Sequence, residues 1–76
     1  MVDKGKLLVI LKDACPDIDF ENENALIDDG LLDSFDIVTI VSDVVDAFGV
    51  KINVDDLEPE NFNSMNAIAE LIESKQ

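Results

Sequence analysis

Histidine, arginine, tryptophan and tyrosine are all absent from this 76-residue chain, and cysteine occurs once. The missing histidine and the scarcity of cysteine and of positive charge each close a class of function. With no histidine and a single thiol, the chain can build neither a tetrahedral zinc site of nitrogen and sulfur ligands nor a serine or cysteine nucleophile paired with an imidazole base. Positive charge is also scarce, with five lysines against 18 acids and a formal net charge of -13. Nucleic acid is excluded as a partner, because its phosphates are neutralised by Lys and Arg side chains. A basic protein surface is the complementary partner. No apolar run approaches the roughly 20 residues of a membrane-spanning helix, so no membrane insertion is expected. The stretch Met1 to Lys12 lacks a following small-residue cleavage site of the secretory kind, and the lone Cys15 suits a reducing compartment. A cytoplasmic monomer is the expectation.

Against that charge, 47% of the residues are hydrophobic, mostly Leu, Ile and Val, which is too many for a disordered acidic tail. Residues 1–76 are expected to form one domain. Its stability margin is small, since a domain of this size buries only about 60% of the surface its unfolded chain exposes. The charge is uneven: positions 13 to 50 hold eleven acids and no base, whereas Lys4, Lys6 and Lys12 crowd the first helical stretch.

The periodicity predicts three main helices and a short one. Leu7, Leu8, Leu11 and Ala14 recur at helical spacing between Asp3 and a stop at Pro16. From Cys15 to Gly30 only Ile18, Phe20, Ala25, Leu26 and Ile27 are apolar, which predicts a long loop pinned by a few side chains. The next segment is rich in β-branched residues, which favour strands. Its apolar positions 37, 38, 40, 41, 44, 45 and 48 nevertheless follow a helical period and break alternation. A helix over 34–48 is predicted, with Phe48 closing its buried stripe and Gly49 as the C-terminal cap. Val50, Ile52 and Val54 alternate as a short extended stretch packed on one side. Pro59 opens a one-turn helix near 59–62 with Phe62 turned inward, a turn from Asp55 being the alternative. Asn63 or Ser64 then caps a last helix with the stripe Met65, Ile68, Ala69 and Ile72. The fold class is therefore all-α, a small four-helix bundle.

The chemistry concentrates at Asp33-Ser34-Phe35, and local physics leaves two registers open. If Asp33 is the N-cap, its carboxylate accepts from first-turn amides, Asp36 falls at the third helical position, and Ser34 stands at the first with its hydroxyl facing water. A phosphate ester there would meet backbone amides and the positive end of the helix dipole. In the other register Ser34 is itself an ordinary cap, and the chain would be an unmodified acidic helical adaptor that binds a basic protein partner. Phe35 is either a core anchor or a surface contact. Asp36, Asp43 and Asp46 share the polar side of the helix, as a solvated face or as a docking face. Asp17, Asp19 and Glu21 have the opening spacing of a calcium loop, but Asn22 stands where the turn glycine belongs and Asp28 where the closing glutamate does, so calcium binding is rejected. Cys15, with only Lys12 near it as a base, is expected to be a partly buried, unreactive thiol.

Taken together, the Asp33-Ser34-hydrophobic triplet, the acidic loop ending in Gly30-Leu31-Leu32, the apolar helix running to Phe48 and the tail Phe62-Asn63-Ser64-Met65-Asn66-Ala67-Ile68-Ala69-Glu70-Leu71-Ile72 resemble the acyl carrier proteins. These are the phosphopantetheine-bearing carriers of fatty acid, polyketide and peptide synthesis. The resemblance runs nearly end to end. It implies that Ser34 is the attachment point of 4'-phosphopantetheine, placed there from coenzyme A by a separate magnesium-dependent phosphopantetheinyl transferase. Asp33 would flank the serine as the helix cap. The chain would be a non-catalytic carrier holding acyl groups as thioesters on the arm, and Phe35, Asp36, Asp43 and Asp46 would meet the transferase and the acyl- or aminoacyl-activating ligases and synthases through basic docking patches. Fatty-acid carriers usually place acids five and eleven residues after the serine, where this chain has Thr39 and Val45, while Asp36 and Asp46 match. The wording Leu31-Leu32-Asp33-Ser34-Phe35 is similar to D-alanyl carriers, which often have glycine where Asp36 stands.

Overall fold

A computed structural model of the chain describes residues 2–76. Helices α1 (Lys4–Ala14), α2 (Ser34–Phe48), α3 (Pro59–Phe62) and α4 (Met65–Lys75) appear in that order, with a 3-10 turn at Val54–Asp56 between α2 and α3. The described residues contain no strand, so the expected all-α, four-helix architecture holds. Helix α1 packs on α2 and on α4, and α3 packs on α4. The stripes predicted from spacing meet in one core: Leu7 and Leu11 from α1, Ile40 and Val44 from α2, Phe62 from α3, and Ile68, Ala69, Leu71 and Ile72 from α4. No helix among the described residues is long and apolar enough to cross a membrane.

The loop between α1 and α2 is anchored where its rare apolar residues predict. Phe20, Leu26 and Leu32 are buried and join the helical core, with Ile18 and Ile27 packed against it. Burying Phe20 together with Phe62 matters in a domain this small, since each such side chain is worth a few kcal/mol.

Helix α2 is helical despite its β-branched content because its period places Ile40 and Val44 inward, and because both ends are closed. At its C-terminal end Gly49 adopts φ 66°, the left-handed conformation that residues with a Cβ resist, and donates its N–H to the Val45 carbonyl. The side chain of Lys6, reaching over from α1, donates from Nζ to the Ala47 carbonyl at 3.0 Å and lies 5.0 Å from the centroid of the Phe48 ring. A cation on the last carbonyls of a helix opposes the negative end of its dipole.

Two local expectations change. The extended stretch ends at Asn53, and Val54 is 84% exposed instead of packed like Val50 and Ile52. Three alternating residues are also compatible with a turn, and Asn53 closes one here: its N–H donates to Asp56 Oδ2 at 2.9 Å, starting the 3-10 turn. Phe48, expected to close the buried stripe, is only half-buried, lying under Lys6 at the rim. Ser64, not Asn63, caps α4, accepting from the Ala67 N–H at 3.0 Å. Lys75 in the last turn of α4 pairs with Asp56 at 2.9 Å and fastens the 3-10 turn to the bundle.

Candidate functional site

The start of α2 decides between the two registers. Asp33 is the N-cap: its backbone is extended, its Oδ1 accepts the Asp36 N–H at 2.9 Å, and its own N–H donates to Asp36 Oδ2 at 3.2 Å. This reciprocal box exists only in that register. With Ser34 as the cap, Ile37 would occupy the third helical position and have nothing to return. The reading of Ser34 as an ordinary cap is therefore corrected. Ser34 stands at the first helical position, exposed, released from capping by its neighbour.

The site fits a phosphodiester on two counts visible in its construction. The serine is exposed, so a bulky substituent meets no packed side chain. It also belongs to the first turn of a helix of 15 residues, whose leading amides and dipole favour an anion. The box stiffens the turn without consuming the hydroxyl.

Around it the surface is apolar as well as acidic. Phe35 is 82% exposed, Val38 60% and Leu31 39%. The core-anchor reading of Phe35 is thereby corrected: the inward positions of α2 are Ile40 and Val44, and residue 35 lies on the opposite side of the first turn. Thr39, where fatty-acid carriers have an acid, turns its hydroxyl back onto the Phe35 carbonyl at 3.1 Å. Asp43 and Asp46 are exposed, and with Ser42 and Val45 they line an open depression of about 450 Å³ on α2. Asp36 is half-buried and committed to the cap box, so it differs from the other two acids.

One neighbour was invisible in sequence. Cys15, at the end of α1, lies beside this cap, and its thiol is held above its usual pKa by burial first, then by the negative charges of Asp36 and Asp33. The proximity of α1's end to α2's start is a tertiary fact, and only Lys12 is near Cys15 along the chain. A raised thiol pKa fits the expected unreactive role.

No curated protein sequence matches the chain. The profile of the family described as phosphopantetheine attachment site matches residues 6–72. That span takes in nearly all of α1, the loop, the Asp33-Ser34 turn, α2, α3 and the buried stripe of α4. The chain belongs to the phosphopantetheine carrier family, whose domains bear 4'-phosphopantetheine covalently.

Proposed function

We propose that this protein is an acyl carrier whose arm is attached at Ser34. The observation that carries the reading is an exposed serine at the first position of α2, freed from capping by the Asp33–Asp36 box. Modification forms a bond between Ser34 Oγ and the phosphorus of coenzyme A that bears the pantetheine. The pyrophosphate bond breaks, the nucleotide bisphosphate leaves, and the hydroxyl proton passes to the transferase. The bound arm supplies a terminal thiol that holds acyl groups as thioesters.

Everything else this chain contributes is presentation. The first-turn amides of α2 favour the phosphodiester charge, Asp33 holds the turn that displays it, and Phe35 with Val38 offers an apolar contact beside it. Asp43 and Asp46 attract basic enzyme surfaces, setting encounter rate and orientation more than affinity. A tether raises the concentration of the cargo at each partner's active site, so a domain without catalysis of its own serves several enzymes. The transferase and the acyl-loading ligases and synthases are its partners, and the loading enzyme chooses the acyl group.

Incubation of the full chain with coenzyme A and a broad-specificity phosphopantetheinyl transferase, followed by intact-mass measurement, tests the reading. One arm's mass is expected on the wild type and none on Ser34→Ala. An unchanged gain on Ser34→Ala would sink it.

A further inference from the structure

The segment leading into Asp33 is organised by a residue far from it in sequence. Asn63, between α3 and α4, collects three consecutive backbone amides of the loop: its carbonyl accepts the Leu26 N–H at 2.8 Å, and its side-chain Oδ1 accepts those of Ile27 at 3.0 Å and Asp28 at 3.1 Å. Its Nδ2 donates to Asp28 Oδ2 at 3.3 Å. The loop then turns back on itself. Leu26, buried in the core, accepts at its carbonyl the N–H groups of Leu31 at 2.9 Å and Leu32 at 3.0 Å. Gly30, at φ 73°, makes that reversal possible. Leu32 is buried and is followed at once by Asp33 and Ser34. Asn63 is thus joined to the start of α2 by an unbroken run of hydrogen bonds and one packed side chain.

We infer that Asn63 is a positioning residue for the modification of Ser34, fixing the loop turn from which α2 and its serine are launched. The inference rests on the reading of Ser34 as the attachment point. The Leu26 amide is met by the Asn63 main chain, but the half-buried Ile27 N–H needs the side-chain acceptor, because such a group left unpaired is costly, and the exposed Asp28 N–H shares it. Truncating the side chain removes the acceptor of two of them, and the Leu26–Leu32 turn loses its outer support. The docking face of α2 is untouched. A transferase would therefore still bind the chain, with Ser34 Oγ presented out of line with coenzyme A, and misplacement of a reacting atom is costly in rate.

Asn63 and Asp28 also allow a rescue. In the double variant Asn63→Asp with Asp28→Asn, residue 63 still accepts both amides while the side-chain hydrogen bond reverses its donor, and net charge is unchanged. The measurement is kcat and KM of arm transfer into the full chain, with amide exchange at Ile27, Asp28, Leu31 and Leu32 as a second readout. Asn63→Ala is expected to lower kcat by about tenfold with KM changed less than about twofold and to speed exchange at those four amides. The double variant is expected to restore both. Ser64→Ala, which removes the α4 cap next door without touching the loop, controls for lost stability and is expected to load at the wild-type rate. If Asn63→Ala does not fold, Asn63→Ser, with an acceptor for one amide, is expected to fall between wild type and a tenfold loss, and a wild-type kcat there overturns the inference. So does a wild-type kcat in Asn63→Ala, or an equal loss in Ser64→Ala. A wild-type chain that takes no arm overturns the Ser34 reading and this inference together, whereas normal loading of wild type beside equal loading of Asn63→Ala overturns this inference alone.

Discussion

Phe35 is the residue at which packing and the proposed recognition part company. A phenylalanine beside a helix start is ordinarily a core anchor, and truncating one that is buried costs about 3–5 kcal/mol. Phe20 and Phe62, both buried, are in that position, whereas Phe35 is 82% exposed. Phe35→Ala is therefore expected to change unfolding stability by no more than about 0.5 kcal/mol, while Phe20→Ala unfolds much of a domain with so small a margin. Loading is expected to respond in the opposite sense. An exposed aromatic next to the proposed attachment serine is a typical interface anchor, so Phe35→Ala is expected to slow arm transfer about tenfold while leaving the urea midpoint in place. Loss of stability without loss of loading would return Phe35 to the core.

At the scale of the element, α2 is a β-branched sequence held helical by its ends as well as its stripe. Its N-terminal end is closed by the Asp33–Asp36 box, and its C-terminal end by Gly49 and by Lys6 from α1. Lys6→Ala removes a charge-assisted bond to the Ala47 carbonyl and the cation over Phe48. A loss of about 0.5–1 kcal/mol is expected, measured by thermal unfolding, with loading at Ser34 unchanged because the far end of the helix is affected. These ends also show what was legible in the sequence. The period of the apolar residues gave α1, α2 and α4 their places, because burial of one stripe outweighs the strand preference of Val and Ile. Asp33-Ser34 was legible as a site but not in its register, which depended on whether Asp36 could return the hydrogen bond. Val54 departs from the expected packed stretch because three alternating residues do not distinguish a strand from a turn. Lys6 at the end of α2, Cys15 beside Asp36 and Asn63 under the loop were not legible at all. Their partners lie 41 residues along the chain for Lys6 and 35 to 37 for Asn63, and no local pattern encodes such a distance.

Across the whole molecule, a net charge of -13 is a cost to the fold and, in the function proposed above, its means of recognition, and pH separates the two. The crowding is plainest near α3, where Glu58 is pushed above its usual pKa by Glu60 first, with Asp56 and Asp55 adding to it. A carboxyl whose folded pKa is raised binds its proton more tightly in the folded state, so stability grows as pH falls through that pKa toward the ordinary carboxylate value and is least at neutrality. Glu58→Gln is thus expected to raise the melting temperature slightly at pH 7, with the gain fading toward pH values near the ordinary carboxylate range. Asp56 runs the other way: the Asn53 amide first, then Lys75, hold its pKa down. Its contribution is present above the ordinary aspartate pKa and lost as pH falls through its folded value, so Lys75→Met is expected to lower stability at pH 7 and to matter little in strong acid. On the reading proposed above, recognition uses a different set of acids. Asp43 and Asp46 are exposed on α2, whereas Asp36 is tied to the cap, so reversing Asp36 would confuse docking with fold. In Asp43→Lys with Asp46→Lys the long-range attraction to a basic partner is removed and the serine is left as it was. Arm transfer by a transferase with a basic docking patch is expected to slow at low salt and to lose its salt dependence, with unfolding stability held or slightly improved. Rates equal to wild type at every ionic strength would show that these acids serve only as a solvated face.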